Sequence, residues 1–440
     1  MNTPSSRRHF IQQSVVTLAA LSPLAGTVPS GVFAAGTERV RVGIIGCGGR
    51  GASAATNCLE ADPAVEIVAV ADALSDRVAK FKERLESWCR TNLKAGERRV
   101  TVTPETTFLG FDAYRKLLAV RPLDVVVITS SVVFHPLHLE AAIQAGKHAF
   151  VEKPAAVDPV GCRRVIAAGE LAKQKGLSIV AGTQRRHDPV YIENHKAVAN
   201  GAIGRILSGR VWWCGGDPRR VYERVEGETD AQFMVRNWYQ FVQMCGDHIV
   251  EQHVHNLDVA NWFIGRPPQL ALGFGGRARR ELGNRYDFFS VDFDYGEDVT
   301  VHSMSRQING CYQRIGEHLV GATGSVWPGG KIAGTRAKSA RKDAVNPYVQ
   351  EHADLIHSIR DGKPLSEARG VAEATLTAIM GRVSAYTGQI VRWTDLTERK
   401  DSPWYNLALS PSAEDFEKGT VTLPPTGAMS LPGTSVAKSV

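Results

Sequence analysis

The sequence predicts an α/β protein: a doubly wound parallel sheet at the N-terminal end, then a second α+β domain with a large, mostly antiparallel sheet. Three observations predict it. Short β-branched runs alternate with helical patterns from Arg39 to about residue 184, the spacing of βαβ units. The first of these runs breaks off in a glycine-rich turn. Beyond about residue 185 the strands instead alternate in polarity and follow one another directly, as antiparallel neighbours do.

In chain order, "RVRVGIIGCGGRG" is a strand entering that turn, and "AVEIVAVAD" (64–72) is a second strand. "LDVVVITS" (123–130), "KHAFVEKP" (147–154) and "LSIVAGTQ" (177–184) are the third to fifth. The intervening "ALSDRVAKFKERLESWC" and "FHPLHLEAAIQAG" have helical periodicity. In the second half "GRILSGRVWW" reads as a strand, and "RYDFFSVDFDYGEDVTVHSMSRQI" as two strands joined at Tyr295-Gly296. "EHLVGATGSVW" continues that sheet, with Gly321 and Gly324 suited to a turn before Trp327. "YVQEHADLIHSIRDG" and "VAEATLTAIMGRVSAYTG" are helices stopped by glycine. The expected domains are a leader (1–34), a nucleotide-binding domain (38–180), an α+β substrate and oligomerisation domain (181–397) and an extended C-terminal arm (398–440).

The chain has 440 residues, 43% hydrophobic and 22% charged, enough for two or three domains with a core stable without staples. A formal charge of +7 is spread along it. The one basic cluster, Arg277, Arg279 and Arg280, is short, which favours a solvated surface over nucleic-acid binding. Seven cysteines without a CxxC pair give neither a disulfide framework nor a zinc site. At the N-terminus Arg7 and Arg8 precede Phe10 and Ile11, a mildly apolar run and the small residues of "VFAAG". This predicts a twin-arginine export signal cleaved after Ala34, although Gln12 stands where a lysine often follows. The run is too short and too broken by proline and glycine to stay in a bilayer, and no later stretch spans one. The mature protein is therefore expected to be soluble and periplasmic or otherwise exported.

"GCGGRG" places glycines at 46, 48 and 51 between a strand and a helix, and Asp72 ends the second strand 21 residues beyond Gly51. Gly46 permits the tight turn, Gly48 lets backbone approach a pyrophosphate, and Gly51 lets the helix pack close. This is the setting of a Rossmann dinucleotide site. Asp72 suits the ribose hydroxyls and favours NAD, while nearby Arg77 leaves NADP open. Thr129, Glu152 and Lys153, at the carboxyl ends of the third and fourth strands, complete the expected cofactor-facing set.

"GDHIVEQHVHNLD" (246–258) gathers three histidines, two aspartates and a glutamate. On one helix, at about 100° per residue, Asp247, Glu251, His255 and Asp258 share a stripe and His253 points elsewhere. His253 and His255 could chelate a metal together only on a strand, so no metal is expected. Arg185, Arg186 and His187 follow the fifth strand and suit sugar hydroxyls or cofactor; Arg236, Asn237, Trp238 and Tyr239 are cleft candidates that core packing explains equally well.

With "AGKHAFVEKPAA", "TSSVVFHPLH", "GTQRR" and "GEHLVGATG", the chain from about Arg39 to about Asp395 resembles the Gfo/Idh/MocA family, which includes glucose–fructose oxidoreductase and inositol dehydrogenase. That family's D-x-G-x-H-x-x-D pattern reads here from Glu251 to Asp258, with glutamate for the first aspartate and His253 for the glycine. The resemblance implies Lys153, Glu251 and His255 as the catalytic set. His255 would accept the hydroxyl proton of a sugar or polyol while a hydride passes to nicotinamide. Lys153 would stabilise the alkoxide, and Glu251 would orient His255 or balance Lys153. Arg185, Arg186, Tyr239 and Asp258 would meet the substrate.

Free NAD is scarce outside the cytoplasm, so export implies a retained cofactor restored in each cycle. Sugar–sugar oxidoreduction does this; so do epimerisation and NAD-dependent glycoside hydrolysis through transient oxidation. A non-catalytic carbohydrate-binding protein is the alternative outside enzymology. A homo-oligomer through the antiparallel sheet is expected by fold analogy.

Overall fold

A computed structural model describes residues 39–217, 221–333 and 345–427. The expected export signal and residues 428–440 of the expected arm lie outside the described residues.

The first sheet contains β1 (Val40–Ile45), β2 (Val65–Asp72), β3 (Thr107–Leu109), β4 (Val125–Ile128), β5 (His148–Val151) and β6 (Ile179–Ala181). Its order is β3-β2-β1-β4-β5-β6 and every pairing is parallel. The helices α1 (Gly49–Ala61), α2 (Ser75–Asn92), α3 (Ala113–Leu118), α4 (His135–Gln144) and α5 (Pro159–Gln174) make the crossovers. Burial on both faces is why β4 is an unbroken apolar run and β1 is interrupted only by Arg41, rather than either alternating. The strand order reverses between β1 and β4, which opens a crevice at their carboxyl ends. The sequence pattern misses β3, a three-residue edge strand with no buried residue and too short to carry a period.

After α6 (Pro189–Ala199) comes β7 (Ile206–Gly215), then four short helices: α7 (Asp230–Arg236), α8 (Val242–Cys245), α9 (His248–Glu251) and α10 (Val254–Ile264). The strands β8 (Leu270–Gly276), β9 (Phe288–Asp294), β10 (Thr300–Gln307), β11 (Arg314–Gly321) and β12 (Ser325–Val326) follow. The chain ends with α11 (Pro347–Arg360), α12 (Ala368–Thr387), β13 (Val391–Arg392), α13 (Trp393–Thr397) and α14 (Ala413–Lys418). The second sheet runs β12-β11-β7-β10-β9-β8-β13. Its β7–β10 pair is parallel and the other pairs antiparallel. α10 and α12 cover one face, burying Ala271, Val291 and Val301, while Leu272 and Phe274 are exposed on the other.

Two placements cut across sequence order. α11 returns to the first domain, where Leu355, Ile356 and Ile359 join the core of β1, β5 and α1. The segment after residue 398, expected as an extended arm, is packed instead through its described part. Trp404, Leu407, Leu409 and Phe416 are buried and α14 forms within it. Burying side chains of this size stabilises by about 1.5–3 kcal/mol each, enough to fix a segment that lacks a periodic pattern. Four apolar residues separated by proline and serine are invisible to a test of periodicity.

Candidate active site

The glycine turn is shaped by what each glycine excludes. A Cβ on Gly51 would lie 2.0 Å from the Gly46 carbonyl oxygen. Gly46 has φ +100°, and a Cβ there would lie 2.5 Å from the Ser130 nitrogen. Gly48 is different: a Cβ there meets nothing within 4 Å, so its lack of a side chain clears space outside the protein. Gly48 also caps α1 without a side-chain bond, leaving amides of the first helical turn directed at that space. Thr129 ties the turn down from β4, its Oγ1 donating to the Gly46 carbonyl at 2.7 Å. A nucleotide pyrophosphate fits this cradle.

Beside it, Asp72 ends β2. Its carboxylate accepts the backbone N–H of Cys47 at 2.6 Å and of Leu74 at 2.8 Å. It therefore braces the turn as well as facing the pocket, and its spare lone pairs remain for ribose hydroxyls. Burial raises its carboxyl above the usual range despite these donors. Arg77 lies over the Tyr222 ring at 5.5 Å, and Arg236 bonds Asp76 at 2.9 Å, so residues 221–238 of the second domain reach across the Asp72 side of the pocket. Val235 and Trp238 line the pocket from that side.

The 246–258 stretch is not one helix, and the stripe expected there needs correction. α9 ends at Glu251 and α10 starts at Val254, with a break at Gln252 and His253. Asp247 precedes α9 with φ 76° and is fully buried. Its carboxylate accepts from Tyr286 N–H at 2.8 Å and from the Tyr386 hydroxyl at 2.6 Å. Burial opposes its ionisation, but these donors and His248 hold its carboxyl below the usual range. Asp247 thus joins this segment to α12 and the sheet instead of facing a ligand. His253 is also buried, paired through Nε2 with the Ser303 hydroxyl at 2.7 Å. Among the described residues no three metal-ligating side chains gather.

Lys153 and Glu251 meet across the domains. Lys153 Nζ donates to the Glu251 carbonyl at 2.6 Å and to its carboxylate at 3.2 Å. Of the two roles expected for Glu251, this contact matches balancing Lys153. His255, beyond the helix break in α10, lies nearly parallel to Trp213 at 5.7 Å. Burial first, then the charges of Lys153, Arg185 and Arg50, push its imidazole well below its ordinary range. His255 is thereby kept neutral, in the form that accepts a proton.

The remaining expected residues are placed as follows. Arg186 grips Asp258 through both carboxylate oxygens, at 2.8 and 2.9 Å. Arg185 pairs with buried Glu317, which also accepts from Asn256 at 2.6 Å. Tyr239 is buried against Arg285, with Gln307 donating to its hydroxyl at 2.7 Å. Glu152 bonds Arg50, the charged residue of the turn, whose Nη2 reaches Glu351 of α11 at 2.9 Å. Glu351 is fully buried, and burial and Glu152 push its carboxyl well above the usual range. His187 bonds Asp354 at 2.6 Å and faces Glu367 at 3.3 Å. Burial alone would lower its imidazole, but those two carboxylates raise it to about 10. Sequence reasoning missed Arg50, Glu317 and Glu351. One signal was available: Glu351 and His352 occupy the buried stripe of α11 with Leu355, Ile356 and Ile359.

Comparison with known proteins agrees with this architecture. Residues 40–182 match GFO_IDH_MocA, an oxidoreductase family with an NAD-binding Rossmann fold. Inositol 2-dehydrogenase of Rubrobacter xylanophilus is 26% identical over 66% of this chain and 71% of its own. A dTDP-3,4-didehydro-2,6-dideoxy-alpha-D-glucose 3-reductase of Actinomadura kijaniata is 29% identical over 40% of this chain and 45% of its own. The structure of scyllo-inositol dehydrogenase from Lactobacillus casei with NAD(H) and scyllo-inositol superposes with a TM-score of 0.60 and 18% identity. It matches 81% of this chain and 99% of that one.

Proposed function

With residues 40–182 belonging to the Gfo/Idh/MocA oxidoreductase family of NAD-binding Rossmann folds, we propose that the protein oxidises a secondary ring hydroxyl of a sugar or cyclic polyol. The observation that carries this is the Lys153–Glu251 pair, held at 3.2 Å at the carboxyl edge of the nucleotide-binding sheet, with the Lys153 charge acting on the buried His255 of α10. NAD, when bound, supplies the hydride acceptor. A ring nitrogen of His255 takes the hydroxyl proton, and Lys153 Nζ donates a hydrogen bond to the oxygen as negative charge grows there. Glu251 fixes Nζ in place. Arg185, Arg186 and Arg50 each already face a carboxylate, so the cleft offers paired donors and acceptors to hydroxyls instead of a net charge to an anion. The named substrates of the relatives, inositols and a dideoxyhexose nucleotide, are ring polyols or sugars of this kind.

The nucleotide is expected to stay bound through purification. Denaturing unsupplemented protein should release NAD, identified by mass, and Asp72→Ala should reduce the amount retained several-fold. Protein that arrives empty and shows no binding by calorimetry would end the proposal. Incubation with polyols, free sugars and aryl glycosides then reads the chemistry: a ketone product supports dehydrogenation, whereas an inverted centre or a freed aglycone indicates transient oxidation. Unchanged substrates with NAD bound would indicate a carbohydrate-binding protein.

Export through a twin-arginine route is the second part of the proposal, supported by Arg7, Arg8 and the small residues near Ala34. Replacing both arginines with lysine should leave the precursor in the cytoplasm; unchanged fractionation would assign the leader another route. The exposed Leu272 and Phe274 on the open face of the second sheet support self-association there.

A further inference from the structure

The cofactor pocket has a back wall that the mechanism does not use, and the C-terminal segment is packed onto it. Phe111, Tyr114 and Phe134 line the pocket. Phe416 of α14 lies behind two of them, with ring centroids 5.3 Å from Phe111 and 5.1 Å from Phe134. The next residue, Glu417, accepts the Tyr114 hydroxyl at 2.7 Å and Arg115 Nη2 at 2.9 Å. The segment is anchored on the way in. Arg163 lies over Tyr405 at 3.9 Å, the Leu409 N–H donates to Asp158 at 2.9 Å, and Glu414 bonds Arg164 at 3.0 Å.

It then crosses to the opposite wall. Leu423 N–H donates to Asp230 at 3.2 Å, at the start of α7, the helix that carries pocket-lining Val235. The Gly427 N–H donates to the Gly283 carbonyl at 3.1 Å. One segment therefore touches the outer side of both walls: the first domain's aromatic wall and the second domain's crossing segment. A nucleotide leaving this cleft passes between the two walls, and its release is eased when they part or the aromatic rings swing aside. Both motions disturb contacts made by residues 405–427.

We propose that residues 399–427 form a brace that sets how long the nicotinamide nucleotide stays bound, with Phe416 and Glu417 as positioning residues acting through Phe111, Phe134 and Tyr114. This rests on the reading of the cleft as an NAD site and extends it: retention is governed from outside the pocket as well as by the phosphate turn.

The test uses the full mature chain loaded with NADH, chased with excess NAD, with release followed by the loss of bound-NADH fluorescence. Phe416→Ala and Glu417→Ala should each speed release about tenfold, equivalent to about 1.4 kcal/mol. If Phe416→Ala does not fold, Glu417→Ala and Tyr114→Phe carry the test. These two remove the same hydrogen bond from either side, so each should speed release and the double variant should add little to Glu417→Ala alone. Leu319→Ala, in the core of the second sheet, controls for general loosening: it should lower the melting temperature and leave release unchanged. Wild-type release rates in the brace variants, or equal acceleration by Leu319→Ala, would overturn the brace while leaving the NAD site intact. A wild-type chain that binds no NADH would overturn both.

Discussion

Alanine in place of Lys153 or His255 is expected to lower turnover about 10²–10⁴-fold, the usual scale for losing one acid–base group, with little change in nucleotide retention. Retention is spared because neither side chain reaches the phosphate turn. Lys153 is held by Glu251 and His255 is packed beside Trp213. The two losses should differ in kind. Without Lys153 the growing alkoxide loses its donor, so kcat falls most. Without His255 the proton has no acceptor, and turnover should recover in part as solvent hydroxide rises with pH. His253→Ala tests the same region differently. Its imidazole is buried on Ser303, so its loss should lower the melting temperature more than the rate. A metal centre would instead make His253 and His255 equally essential, with activity lost to a chelator and restored by a divalent ion. Steady-state rates of the three variants with and without chelator decide between them, and the metal pattern would sink the acid–base assignment.

The second large effect is expected at Gly51. A methyl group there would sit 2.0 Å from the Gly46 carbonyl oxygen, which is backbone and cannot swing aside. Gly51→Ala must therefore push α1 from β1, at a cost of about 1–3 kcal/mol on the scale of overpacked cores. It should also spoil the cradle whose amides meet the pyrophosphate. Both the melting temperature of the empty protein and NAD retention should fall. Gly48→Ala is the informative contrast, because its Cβ meets no protein atom within 4 Å. It should leave the empty protein as stable as wild type and still weaken NAD binding, since the space it fills is the ligand's. Equal melting temperatures for the two variants would contradict this reading of the turn.

The glycine turn, Asp72 and the strand–helix rhythm were legible because each is written in neighbouring residues: period, β-branching and fixed glycine offsets. Lys153 was legible for the same reason, as a lysine stranded just past a buried strand and before a proline. The 246–258 segment shows where that reading stops. Helical spacing gave four side chains on a stripe, but Asp247 adopts φ 76° and the helix breaks at Gln252. The break follows from what surrounds it: buried Asp247 is held by Tyr286 and Tyr386, and His253 by Ser303.

By itself the sequence determined the two-domain α/β class, the nucleotide turn and the residue types proposed for the reacting centre. Only the tertiary structure decided the partners of the buried charges. Arg50 finds Glu351 from 301 residues away, Arg185 finds Glu317, and Tyr114 reaches Glu417 across 303 residues. A local pattern reports which face of an element avoids water, and that depends on near neighbours in the chain. A charge taken out of water must be matched by an opposite charge or a hydrogen bond wherever the fold brings one. That match depends on how α11, α14 and the second sheet come to rest on the first domain, information held in no single stretch of the chain.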